Sequence, residues 1–546
     1  WRQWQADIDL AIMALARNKA AVEDEGSKLL LVAAQERLFD LAIDLTYASR
    51  EQLGMPATCA RFLAMSEAGR STLLKARLGV FKGMRFAGLP DTLATREQEL
   101  IAALNASSTS PARMLELERD YKALLERLQR DHPVYFTLRY GEASVGIRDV
   151  RERLLTSDRA LVTYAATASG LYALVIDQAG EQLVRLDHQG LDARVSALNT
   201  AIAERRTGDY LKHAHAVYQQ VFAPLAPRVT HEELLIVPDG PLHLLNFESL
   251  LTAPGSTIGY QRDLLIQRHA IAYLLSATTA VQFAQLARER ANGTLALAPG
   301  FTDEVKQRYL AAVKDSAEVD HNFLDHVRQP FALRTAEDLR GVMKAQLLLG
   351  ADATEHGFRQ DAGRFGILHL GTHAEMNAKD PMYSRLVLSK DGAGTDPDAD
   401  GYLHAYEIYE LDLRAQLAVL TACRTGTGRN DGEGVRSLGY SFAYAGCPSL
   451  VMSLWDIDEQ ASSTIITRFY ALLAEGLPKH QALRQAKLEH LEQADEELRL
   501  PYYWAGLVLV GDVEPVELTD GPSAWWLAVI AGSLAVLIGW YRRRRA

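Results

Sequence analysis

The sequence predicts an α/β domain with a central, mostly parallel sheet flanked by helices. An all-α helical region precedes it, and one C-terminal transmembrane helix follows. Three observations predict this. From about residue 145 onward, short apolar runs alternate with helical patterns, as expected of a sheet covered on both faces. Before that point apolar residues recur at helical spacing with few strand-like runs. Near the end, Ser523 to Tyr541 runs 19 residues without a charge. A chain of 546 residues also exceeds one ordinary core, so two or more domains are expected.

In the helical region, Leu29, Leu30, Val32, Leu38, Leu41 and Ile43, then Leu115, Leu117, Leu124 and Leu128, keep the helical period. Gly54-Met55-Pro56, Gly88-Leu89-Pro90 and Ser107 to Pro111 break it into antiparallel helices. No clean repeat of about 34 residues is visible. The sheet begins with Ala160–Tyr164 and Leu171–Ile176, paired about Ser169-Gly170. Further buried strands are expected at Glu233–Val237, Thr294–Ala298, Phe365–Leu370, Leu386–Leu388, Leu417–Leu420 and Ser449–Leu454, with helices at Glu459–Ala474 and His480–Ala494. Asp391 to Gly401, rich in Gly and Asp, reads as a surface loop.

As a helix, the uncharged segment Ser523–Tyr541 spans about 28 Å, close to the roughly 30 Å hydrocarbon core. Trp525, Trp526, Trp540 and Tyr541 lie at its two ends, and Arg542 to Arg545 follow at once. A core helix seldom carries aromatic belts and a basic stop, so a single-pass anchor is expected. The positive-inside bias places the arginines in the cytoplasm. The chain starts at Trp1 and is read as trimmed. An upstream export signal would put the body on the far side; without one the protein is tail-anchored.

The net charge of −11 argues against a nucleic-acid binder, which needs a basic face. Three cysteines at wide spacing form neither a disulfide framework nor a zinc motif, and no metal or other cofactor is expected. Two apolar strands, however, end in reactive residues. One runs into Gly371-Thr372-His373, the other into Thr421-Ala422-Cys423. Open α/β sheets collect their sites at the carboxyl ends of strands. If these two strands are neighbours, a thiol faces an imidazole. A free thiol is mostly protonated at neutral pH, so an adjacent base is what makes it a nucleophile. The backbone N–H groups of Cys423 and Ala374 are the candidate oxyanion donors. His369 lies inside its strand and reads as structural, as do Cys59 and Cys447.

The chain resembles the CHAT family, caspase-like domains that follow tetratricopeptide repeats. The blocks that carry the likeness are Pro238–His243, Asn246–Leu250, Gly350–Thr354, His369–His373, Asp380–Ser389, Thr421–Gly426, Gly432–Gly434, Ser453–Asp456 and Pro501–Trp504. Glu67-Ala68-Gly69-Arg70-Ser71 resembles the tail of the preceding repeat region. The fifty-residue spacing from His373 to Cys423 matches the caspase-type separation. A glycine commonly follows the family's histidine; here Ala374 stands, and the backbone donor survives.

The resemblance implies a tetratricopeptide-like region over 1–145 and a caspase-like peptidase domain over 146–512. A linker over 513–522, the span over 523–541 and a basic tail over 542–546 complete the expected organisation. It implies a cysteine endopeptidase with a His373–Cys423 dyad, acting on a protein substrate and governed by a protein partner on the helices, as in some bacterial defence or death systems. Thr421, Asp431, Glu433, Asp456 and Asp458 are the candidates for the substrate pocket. An acidic pocket favours Arg or Lys at the cleaved position, and the competing reading is solvated loop acids. The alternative function is a catalytically silent membrane scaffold.

Overall fold

The computed structural model describes residues 8, 25–71, 74–75, 90–105, 111–132, 145–286, 290–313, 317, 319–377, 379–390, 399–430 and 435–518. Strands follow residue 145, and most of the apolar runs among them are buried on both faces and flanked by turn residues. In chain order they are β1 (Arg159–Thr167), β2 (Gly170–Ile176), β3 (Glu181–Leu186), β4 (Glu233–Val237), β5 (Ala270–Tyr273), β6 (Thr294–Ala298), β7 (Gln346–Leu349) and β8 (Ile367–Leu370). Then follow β9 (His373–Glu375), β10 (Arg385–Val387), β11 (Tyr402–His404), β12 (Leu417–Leu420), β13 (Gly428–Asn430), β14 (Val435–Ser437), β15 (Ser449–Ser453) and β16 (Leu507–Gly511).

Eleven of these form one sheet in the order β3-β2-β1-β4-β5-β16-β15-β12-β8-β6-β7. The hairpin at Ser169-Gly170 is antiparallel, with Thr167 opposite Gly170. Parallel pairing dominates elsewhere, and β16 runs antiparallel to β15. The join between β5 and β16 is narrow, with a single register pair, Val510 and Tyr273. The expected strand at Leu386–Leu388 is β10, which leaves the main sheet for a small antiparallel one, β11-β10-β9. Its periodicity gave no sign of this, because a short apolar run reads alike in either sheet.

The N-terminal helices Glu25–Ala48 and Met55–Ala68 pack on each other and onto β1, β2 and β3. Helices Asp91–Asn105 and Pro111–Asp131 pair through Leu93, Leu100, Leu117, Leu124 and Leu128. After β16 the chain stays packed: Val513 and Val516 are buried, and Gln416 and Glu517 exchange hydrogen bonds of 2.8 and 3.0 Å.

The expected membrane anchor is corrected here. Among the described residues, no helix is long and apolar enough to cross a membrane. Their apolar runs form short strands, helices that pack against the sheet, and the helix pair Asp91–Asn105 and Pro111–Asp131. Ser523–Tyr541 and the arginine tail lie outside the described residues. The transmembrane helix, the membrane localisation and the membrane as a partner are therefore withdrawn.

Candidate active site

β8 and β12 are neighbours and parallel, with Leu370 opposite Leu420. His373 and Cys423 each stand three residues past that pair, so the pairing carries both to one end of the sheet. The Thr421 N–H donates to the Leu370 carbonyl at 3.0 Å, which extends the pairing one step toward the site. Beyond it the chains part. His373 opens β9, and Cys423 enters a turn in which Arg424 takes a left-handed φ of 57°. A non-glycine residue held there is strained and needs its surroundings to fix it. Those surroundings are the end of β15. The Gly426 N–H donates to the Ser453 carbonyl at 2.8 Å, and Ser453 Oγ donates to the Ala422 carbonyl at 2.6 Å. The Ser453 N–H donates to Thr425 Oγ1 at 3.0 Å.

The Cys423 thiol is half-buried, whereas Cys59 and Cys447 are fully buried. Burial and the Asp456 carboxylate raise the Cys423 thiol above its usual range; the Ile457 N–H and the Arg424 guanidinium oppose them only in part. Burial pushes Cys59 up to about 11 and Cys447 up to about 12. The Cys423 N–H has no acceptor among the described residues, as an oxyanion donor requires. Ala374 lies on β9 opposite Leu386.

His373 Nε2 lies 2.9 Å from the Val327 carbonyl. A carbonyl only accepts, so in this orientation Nε2 carries the proton and Nδ1 keeps the lone pair. Burial lowers the imidazole below its ordinary range, and the Val327 bond and the Glu375 carboxylate oppose that. No hydrogen bond joins His373 to Cys423. The Val327 carbonyl is held in place from both sides. Lys306 Nζ donates to the carbonyls of Leu324 and His326 at 2.5 and 2.7 Å, and the Gln329 N–H donates to the Gly300 carbonyl at 2.9 Å. Sequence reasoning missed this segment, because a backbone acceptor 46 residues from its histidine leaves no side-chain signature.

The other candidates separate. Thr421 Oγ1 donates to the Leu370 carbonyl at 3.3 Å. Asp458 caps the helix Glu459–Ala474, accepting from the Ala461 N–H at 2.8 Å. Asp456 is exposed and pairs with Arg424 at 2.7 Å. Asp431 and Glu433 lie outside the described residues. His369 is fully buried, lies 3.2 Å from the Tyr470 hydroxyl and is pushed down to about 3 by burial.

Fold and site together define a caspase-like α/β domain with an imidazole and a thiol at adjacent strand ends. The family model for the CHAT domain matches residues 211–512, more than half of the chain, and the chain belongs to that family. It is similar to tetratricopeptide repeat protein 28 of Homo sapiens, 23% identical over 352 residues that make up 57% of this chain and 14% of the human protein. The mouse protein of that name is 23% identical over 344 residues, 54% of this chain and 13% of its own length. The chain thus spans about 14% of the length of these curated relatives. Among solved structures, a Saccharomyces cerevisiae separase–securin complex aligns with 92% of this chain and 48% of its own, at 10% identity and a TM-score of 0.41. The Arg specific cysteine proteinase gingipain R aligns with 57% of this chain and 68% of its own, at 8% identity and a TM-score of 0.31.

Proposed function

We propose that the chain is a caspase-like cysteine endopeptidase in which Cys423 is the nucleophile and His373 the general base. The observation that carries this reading is the parallel pairing of β8 and β12, which brings the two residues to one end of the sheet in equivalent positions. Both groups rest neutral, since burial lowers the imidazole and raises the thiol. The thiol proton therefore passes to Nδ1 as sulfur attacks the scissile carbonyl. The oxyanion forms against the N–H of Cys423 and the backbone beside it at Ala374. Nδ1–H then protonates the leaving amine, and water, deprotonated by the same nitrogen, hydrolyses the thioester. Because thiol and imidazole are not bonded at rest, the productive contact forms when a substrate or partner docks.

Asp456, exposed and close enough to raise the thiol, is the pocket residue this reading retains. Its pair with Arg424 is solvent-exposed and worth at most about 1 kcal/mol, so a substrate Arg or Lys can take Arg424's place. The helices are the surface for a protein activator, since Arg70, just after Met55–Ala68, and Glu67, at its end, join them to β1 and to the helix Ala277–Gln285 by buried polar contacts. Comparing new protein termini in cells carrying wild type and Cys423→Ala tests the peptidase. Termini that vanish with Cys423→Ala are expected. Identical termini, with full cellular function in the variant, would overturn the peptidase and leave a scaffold.

A further inference from the structure

A second imidazole lies against the first. The ring of His326 stacks on that of His373 with centroids 4.9 Å apart and planes 18° from parallel. Phe301 contacts both rings, at 5.3 and 5.0 Å. The residue after His326 is Val327, whose carbonyl accepts the hydrogen bond from His373 Nε2. Two consecutive residues therefore grip the base, one by its face and one by its edge. His326 Nε2 is 3.3 Å from Glu375 Oε1, yet it is buried and finds no hydrogen-bond partner among the described residues. A buried ring nitrogen without a hydrogen bond carries a desolvation cost and calls for an explanation.

Resting on the dyad reading, we propose that His326 is a positioning residue for His373, fixing the plane of its ring and controlling how readily it accepts a proton. While His326 is neutral, its ring face supports the imidazolium that forms on His373 during attack. Once His326 is protonated, the two rings repel and His373 loses its capacity as a base. The charged groups around His326 set that balance. Glu375 on β9 and Asp320, which precedes the helix His321–Asp325, favour its protonation; Lys306, on the helix Asp303–Ala312, and His373 oppose it. Burial is the largest influence and keeps His326 neutral below the usual imidazole range.

The test reads both roles on the full chain. His326→Ala is expected to lower kcat about ten- to a hundredfold with KM unchanged, because a base set about 1 Å out of place loses that much. His326→Phe restores the ring face and should recover most of kcat. The acid limb of log kcat/KM should fall with a two-proton slope in wild type and a one-proton slope in His326→Phe. Unchanged kcat in His326→Ala, or a two-proton limb in His326→Phe, overturns the proposal. Histidine NMR titration of wild type supplies a readout independent of cleavage. Two mutually broadened titrations are expected, with that of His373 reverting to a simple curve in His326→Phe. A His373 curve identical in wild type and variant overturns the proposal, whereas coupled curves without any peptide cleavage retire only the peptidase reading. Should His326→Phe fail to fold, two independent one-proton curves in wild type overturn the proposal alone.

Discussion

Cys423 sits between opposing electrostatic influences. Burial and the Asp456 carboxylate hold its proton on, while the Ile457 N–H and the Arg424 guanidinium pull it off. Replacing the acid leaves the cation, so Asp456→Asn should lower the pH midpoint of thiol alkylation, and Arg424→Gln should raise it. Alkylation read by mass spectrometry at each pH checks both, and an unmoved midpoint in Asp456→Asn would remove that carboxylate from the site. Cys59 and Cys447 should stay unlabelled in the folded chain, since burial holds both thiols protonated and out of contact with solvent. At this scale the sequence was informative where chemistry and strand ends coincide. His373 and Cys423 stood out because each ends an apolar run, and His369 was separable because it lies inside one. Asp458 was not separable from Asp456, since a helix-capping acid and an exposed loop acid look alike until the helix start is placed. His326 and Val327 were not legible at all, because their contact with His373 is a tertiary one.

The segment Glu67–Ser71 shows what an element boundary does in this fold. Read along the sequence it resembles the end of a repeat region. In space it is the plug that joins helices to sheet. The fully buried Glu67 carboxylate accepts from the N–H groups of Ala277 and Thr278 at 3.0 and 2.8 Å, capping the helix Ala277–Gln285 from another part of the chain. Arg70 reaches Thr163 Oγ1 at 3.1 Å, the Tyr164 carbonyl, and Asp239 at 3.3 Å. Asp239 in turn accepts from the Ala166 N–H at 2.7 Å. Glu67→Ala leaves two buried donors without a partner, at about 1–3 kcal/mol for each unsatisfied group. A loss of about 2–6 kcal/mol in urea unfolding is expected. A loss under about 0.5 kcal/mol, the range of ordinary surface changes, would show the contact to be incidental. Strand positions were legible because their apolar runs are short and bounded. Partners that come from hundreds of residues away, as here, carry no local period to read.

Over the whole molecule, the eleven-stranded sheet is two halves sharing a thin seam. β3-β2-β1-β4-β5 comes from the chain before residue 286, the remaining strands from the chain after residue 290, and between β5 and β16 only one register pair is formed. Such an edge would be weak if backbone pairing alone held it. The seam is instead crossed by buried polar contacts. Asn246 Nδ2 donates to the Ala505 carbonyl at 2.6 Å. Lys487, fully buried on the helix Lys479–Gln493, donates to the Leu507 carbonyl at 2.6 Å and pairs with Glu248 from the turn between β4 and β5. A buried ion pair adds little against a well-packed apolar pair, but breaking one side is costly, because the other charge stays behind without compensation. Lys487→Met should therefore cost about 3–5 kcal/mol of unfolding free energy. Adding Glu248→Leu should recover most of that loss, since the stranded carboxylate is then gone. Denaturant unfolding of wild type, both single variants and the double variant closes the cycle. If the double variant is as unstable as the sum of the singles, the pair is not what joins the halves. Recovery with a second, earlier transition would mean the halves still fold but part at the seam, because cooperativity between them, rather than either core, depends on these two charges.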